Sequence, residues 1–119
     1  MTKSIFYVCP VCGNVIHTIG EALISCCGIT LPVTEPEQAD DEHMIHTEVT
    51  EDEYYVTVNH PMTKEHYISF IAAITDYGVQ LEKLYPEGCL EARFKIRGVR
   101  KLYAYCNRHG MFAVKPSRK

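Results

Sequence analysis

Two groups of side chains in this sequence are spaced for metal chemistry. The first is Cys9-Pro10-Val11-Cys12-Gly13, joined by the adjacent pair Cys26-Cys27 just before Gly28. Two residues between thiolates let both sulfurs face one ion, and the following glycine lets backbone amides turn toward the sulfurs. Four thiolates suit tetrahedral iron or zinc. Neighbouring side chains must splay to reach a common ion, so Cys26 and Cys27 predict a distorted tetrahedron. The plainer alternatives are a structural zinc site, a vicinal disulfide or free core thiols. Metal ligation is favoured over these, and iron over zinc. A redox-active C-x-x-C would open a helix in a βαβ pattern, which is missing here.

The second group is richer in nitrogen. Asn59-His60-Pro61-Met62-Thr63-Lys64-Glu65-His66-Tyr67 sets two histidines six residues apart around a proline turn. Tyr105-Cys106-Asn107-Arg108-His109-Gly110 sets a thiolate and an imidazole three residues apart, a common spacing for two ligands of one ion. His43 follows an acidic stretch and is a further candidate. A lone histidine is more often a surface or core residue than a ligand. Five candidate ligands in compact blocks reverse that expectation, because imidazole is the commonest metal ligand of proteins. Several imidazoles with one thiolate favour a redox transition metal, iron above all.

The elements that must position these groups fall into two parts. Residues 5–32 hold four of the six cysteines among short apolar runs, too little apolar surface to fold without a staple. Residues 33–42, VTEPEQADDE, read as an acidic linker. The expected division is a metal-binding domain over 1–37 and a second domain over 38–119. In the second part, Glu53–Val58, His66–Ile74, Val79–Tyr85, Glu91–Ile96, Lys101–Tyr105 and Met111–Val114 read as short strands, with Gly78, Pro86-Glu87-Gly88 and Gly98 as punctuation. The fold class is therefore mainly β, with a sandwich in the second domain. One helical turn is expected at Met62–Glu65.

Composition excludes several classes of function. The 119 residues are 46% hydrophobic and 23% charged, as in a soluble globular protein, and the formal net charge of -3 argues against nucleic acid. The apolar runs are too short to span a bilayer. MTKSIFYVCPVCG carries no signal-peptide pattern, so a cytoplasmic location is expected, and a reducing compartment favours metal ligation over disulfides.

C-x-x-C-G, then C-C, then a histidine after an acidic linker, then H-P-M-x-x-x-H-Y-I, then Y-C-N-x-H-G, resembles desulfoferrodoxin, the two-iron superoxide reductase. The resemblance runs from Tyr7 to Phe112. It implies a desulforedoxin-like, rubredoxin-type N-terminal module, an immunoglobulin-like β-sandwich behind it, and a homodimer. It also implies two mononuclear irons, with zinc an option in the first site, and a rubredoxin-like electron donor. Carried over residue by residue, Cys9, Cys12, Cys26 and Cys27 would hold the first iron. His43, His60, His66 and His109 would be equatorial ligands of the second, Cys106 its axial thiolate, and the sixth position would stay open for superoxide. A thiolate pushes electron density toward an open position, as in thiolate-ligated haem enzymes.

The sequence departs from the family around the first histidine. Members often carry glutamate then lysine before it and proline two residues after; here Glu42 takes the lysine's place and Ile45 the proline's. Lys64, beside the H-P-M turn, is a candidate to supply the missing cation, against its plain reading as a solvated loop lysine. Asp41 matches the glutamate that caps the oxidised iron, one methylene shorter. His46 is a second candidate for the fourth imidazole, with His43 preferred. His17 reads as a surface residue and Cys89 as a free thiol outside any ligand block. The competing functions are a rubredoxin-like electron carrier with an idle second site and a structural zinc protein that binds a partner.

Overall fold

A computed structural model describes residues 4–20, 22–38, 44–76 and 78–115. The chain divides into two compact units, Met1–Glu35 and Pro36–Lys119. Among the described residues every regular element is a strand, and no helix is long and apolar enough to cross a membrane.

In the first unit, β1 (Ser4–Val8) and β2 (Val15–Ile19) form an antiparallel hairpin, and β3 (Ser25–Cys26) pairs with β4 (Ile29–Thr30). Ile5, Tyr7, Cys9 and Leu31 are buried together, with Ile16, Ile24 and Val33 packed on them. The Tyr7 hydroxyl donates to Ala22 O (3.1 Å) and accepts from Ala22 N (3.2 Å), which fastens the loop before β3 to β1. So few buried side chains cannot offset the entropy of ordering a segment of this length. One of them, Cys9, is itself a candidate ligand. His17, expected at the surface, is half-buried on β2 with its ring 5.1 Å from that of Phe6, and burial lowers its pKa.

The second unit is a sandwich of two sheets. β6 (Ile45–Thr50), β7 (Glu53–Val58) and β10 (Glu91–Lys95) form an antiparallel sheet in the order β10-β7-β6. β5 (Pro36–Gln38), β8 (Ile68–Thr75), β9 (Val79–Lys83), β11 (Val99–Cys106) and β12 (Gly110–Val114) form the other, in the order β5-β12-β11-β8-β9. Alternation does the sorting: Tyr54, Val56 and Val58 of β7 and Ala92 and Phe94 of β10 point inward, with the residues between them less buried. They meet Ile68, Ile71, Ala73, Leu102, Ala104 and Phe112 from the opposite sheet in one core. Gln80 of β9 links the two sheets, donating to Lys95 O (3.4 Å) and accepting from Lys95 N (3.2 Å).

Two expectations change here. Part of the expected linker is a strand: Pro36–Gln38 pairs in parallel with Met111–Ala113. Thr34, just before it, bridges to Phe6. The expected helical turn at Met62–Glu65 is absent. Instead Thr63 N donates to His66 O (3.0 Å) and His66 N donates to Thr63 Oγ1 (3.0 Å), so local polar pairs compete successfully with helical ones.

One irregularity sits where β8 meets the end of β11. Tyr105 faces Phe70 but Cys106 faces Ile68, so Ser69 is an extra residue, a β-bulge. Its carbonyl accepts from Leu84 N (2.8 Å) and Lys83 Nζ (3.1 Å). Lys83 Nζ also reaches Ser69 Oγ (3.2 Å) and Leu84 O (3.0 Å), and burial lowers the pKa of this lysine.

The core makes a direct prediction. Leu102 is 0% exposed between the sheets and Leu81 is 41% exposed on β9. Leu102→Ala should lower the unfolding free energy by about 2–5 kcal/mol in a urea titration, and Leu81→Ala by well under half of that.

Candidate metal centres

The first group is assembled by two tight turns. After β1 the chain closes on itself, Gly13 N donating to Cys9 O (2.9 Å) and Cys9 N to Asn14 O (2.9 Å), which brings Cys12 back beside Cys9. Between β3 and β4 the turn is only Cys27-Gly28, with φ of 54° and 77°. Positive φ at both central residues is the two-residue hairpin turn that matches strand twist, and glycine takes its place there without a steric cost. Cys27 bears that cost, about 1 kcal/mol, in adopting the left-handed conformation. The turn is how two adjacent cysteines reach one point: all four Sγ atoms lie within 4.8 Å of one another.

The spacing fits one ion. Metal–sulfur bonds of about 2.3 Å at tetrahedral angles put sulfurs about 3.8 Å apart. Cys12 and Cys26 are 3.5 Å apart and Cys26 and Cys27 are 3.9 Å apart. The latter is nearly twice a disulfide bond length of about 2.05 Å, and all six cysteines are free thiols. The Cys12 amide directed at the Cys9 sulfur lowers the Cys9 pKa to about 7, against the upward push of burial. Cys27 is raised to about 12 by the neighbouring thiols of Cys12, Cys9 and Cys26, and Cys26 is raised by Cys12 and Cys9. Four sulfurs this close cannot all be anionic without a cation between them.

The second group lies wholly in the sandwich unit. His60, His66 and Cys106 each offer a ligand atom within 4.8 Å of the others. His60 follows β7, His66 precedes β8, and Cys106 ends β11. The His60 ring shares a hydrogen bond of 2.7 Å between Nδ1 and Pro61 O, which assigns its proton to Nδ1 and a lone pair to the buried Nε2. The His66 Nε2 is buried as well, and the His60 and His66 rings stand edge to face with centroids 4.5 Å apart. Cys106 is 0% exposed, at the floor of the group.

His109 joins it from the β11–β12 hairpin. Cys106 pairs with Gly110 across a loop of Asn107, Arg108 and His109, and Gly110 has φ of 92°. A three-residue loop closed by a left-handed glycine is a standard hairpin connection. It turns His109 back over the strand end, with Nδ1 3.5 Å from Cys106 Sγ and its ring 5.2 Å from that of His66. His109 is exposed, so the group is closed at the thiolate and open at this imidazole.

The remaining candidates separate clearly. His46 is exposed on β6, opposite Thr57, and is not part of the group among the described residues. Lys64 is exposed in the turn between Thr63 and His66. Cys89 is exposed and belongs to neither group. His43 and Asp41 lie outside the described residues. Two residues that the spacing argument passed over help to hold the H-P-M turn: Thr63, through its bonds to His66, and Met62, whose Sδ accepts from Ile68 N (3.4 Å). Neither carries a side chain that would mark it as more than a spacer.

Among the described residues, fold and sites define a small all-β protein with two groups able to hold a metal ion, one of four cysteine sulfurs and one of imidazoles with a cysteine sulfur. A sequence model of the desulfoferrodoxin family matches residues 30–115. A desulfoferrodoxin homolog of Archaeoglobus fulgidus is 35% identical over 115 residues, covering 89% of this chain and 92% of the relative. The desulfoferrodoxin of Nitratidesulfovibrio vulgaris is 33% identical over 114 residues, covering 87% and 90%. The crystal structure of the superoxide reductase from Treponema pallidum superposes with a TM-score of 0.81 at 28% identity, covering 95% of this chain and 98% of that one. The chain belongs to the desulfoferrodoxin family.

The raised thiols predict proton release on loading. Cys26 and Cys27 both lie above their ordinary values, so both are protonated at neutral pH when no ion is bound. Binding one Zn2+ or Fe2+ there should release at least two protons, one from each. Calorimetric titrations in buffers of different ionisation enthalpy give the number directly, and Cys27→Ser should reduce it by one while also weakening the binding.

Proposed function

We propose that this protein is a superoxide reductase: one electron and two protons convert superoxide to hydrogen peroxide at the imidazole–thiolate centre. The observation that carries this is the asymmetry of that centre, a buried thiolate beneath imidazoles with an exposed imidazole at its edge. The likeness to a superoxide reductase structure and the membership of the desulfoferrodoxin family support it.

In this reading His60, His66, His109 and Cys106 hold iron, with His43 as the fourth imidazole. His46 is exposed on β6 opposite Thr57 and is not part of the group among the described residues, which leaves His43 as the preferred candidate. When bound, iron supplies the single electron at the site. The neutral imidazoles bring no negative charge to repel an anionic substrate. Cys106 contributes the one anionic ligand, and its burial among apolar side chains keeps that charge from being spent on water. Lys64, exposed two residues before His66, provides a cation for drawing superoxide in. Asp41 is kept as the carboxylate that caps the site after turnover. The four-thiolate centre serves electron transfer or structure, with iron or zinc. A rubredoxin-like donor, a homodimer and a cytoplasmic location accompany this reading, with residues 1–37 as the metal module and 38–119 as the reductase domain.

Pulse radiolysis in oxygen-containing formate solution, which generates superoxide, together with metal analysis tests it. The iron-loaded protein should consume superoxide in a second-order reaction and yield one peroxide per electron supplied. Cys106→Ser should abolish that reaction while the four-thiolate centre stays filled. Retention of wild-type turnover by Cys106→Ser with iron bound would remove Cys106 from the chemistry.

The charge around the site gives an independent prediction. Lys64→Ala should slow superoxide capture about two- to tenfold at low salt. Glu42→Lys, which restores the cation usual in the family, should speed it by a similar factor. Both effects should shrink as salt rises, since exposed charges are screened within about 8–10 Å at ordinary ionic strength. Rates that ignore both substitutions across a salt series would show that neither side chain faces the approach to the site.

A further inference from the structure

The ligands of the second centre come from segments far apart in sequence, and one uncharged side chain joins two of those segments. Asn107 lies between Cys106 and His109 in the β11–β12 loop. Its Oδ1 accepts from Tyr67 N (2.8 Å), and its Nδ2 donates to Glu65 O (3.0 Å). Its own backbone N donates to Tyr67 O (3.1 Å). The side chain thus brackets His66 from both sides, bonding the residue before it and the residue after it. Arg108 Nε adds a second donor to Glu65 O (3.0 Å).

We infer that Asn107 is a positioning residue that sets His66 against Cys106 and His109 before any ion arrives. The geometry is specific to an amide. One acceptor must meet Tyr67 N and one donor must meet Glu65 O, on opposite sides of the same planar group, and asparagine supplies both at this length. Aspartate keeps the acceptor and loses the donor. Alanine loses both, leaving Tyr67 N to water and Glu65 O to the Arg108 donor alone. The turn that carries His66 is otherwise closed through Thr63, which holds it to itself and not to the thiolate strand. Rigid placement matters because groups outside a metal's own ligands typically change affinity about 10–100-fold when removed.

The inference rests on the reading that His66, Cys106 and His109 share one ion, and the two can fail separately. Co2+ titration of the full chain, followed by thiolate-to-cobalt absorption, is the test. Subtracting the spectrum of Cys106→Ser isolates the second centre from the four-thiolate one. If that difference is nil for the wild-type sequence, the shared-ion reading fails before Asn107 is considered. If it is present, Asn107→Ala should weaken Co2+ binding at that centre about 10–100-fold and shift the band, with the four-thiolate absorption unchanged. Asn107→Asp should fall between the two. Arg108→Ala, which removes only the shared contact to Glu65 O, should lose less than Asn107→Ala. Should Asn107→Ala fail to fold by circular dichroism, Asn107→Asp carries the test. Binding within threefold of wild type, with an unshifted band, in every folded Asn107 variant would overturn the inference.

Discussion

Electron-rich ligand atoms crowded together repel one another, and this constraint shapes both halves of the molecule. Sulfurs and imidazoles lie within 4.8 Å of their neighbours in each group. The backbone has to bring them there against that repulsion and hold them until a cation relieves it. The first unit does so with two tight turns and very little core, and crowding makes two of its thiols, Cys26 and Cys27, resist ionisation. The second unit does so with a sandwich. A core of aromatic and aliphatic side chains fixes the strand ends, and the candidate ligands sit at those ends.

This difference explains how much was legible in the sequence. The gathering of Cys9, Cys12, Cys26 and Cys27, and of His60, His66 and Cys106, was, because cysteine and histidine at short, fixed spacings have few other uses. Glu53–Val58 was legible as a strand because its alternation matches a half-buried sheet, and the structure gives it the same bounds. β6 was missed, since His46, Thr47, Glu48 and Thr50 leave only Ile45 and Val49 as apolar residues, and Val49 is exposed. β5 reads as linker because its acidic, proline-containing sequence carries no pattern; what makes it a strand is the edge of β12, a partner far away in the chain. The Met62–Glu65 segment reads as a helical turn, and Thr63 decides otherwise through its hydroxyl.

The adjacent cysteines show the same lesson at a finer scale. Spacing alone predicts that Cys26 and Cys27 must splay. The means, a two-residue hairpin turn with a cysteine in the left-handed position, depends on β3 and β4 pairing across it. A vicinal pair followed by glycine is thus the signature of a turn as much as of a ligand set.

The bulge at Ser69 decides which side chain the buried thiolate has for a neighbour. In an unbroken ladder, Tyr105 facing Phe70 would be followed by Cys106 facing Ser69. The extra residue substitutes Ile68, and Lys83 draws the serine hydroxyl to itself. A hydroxyl beside a thiolate would donate to it and withdraw electron density; an isoleucine leaves that density on the sulfur. If Cys106 ligates a metal as proposed, its donor strength is written into a count of backbone residues on the adjacent strand, and inserting or removing one amino acid there would retune the centre without altering any ligand.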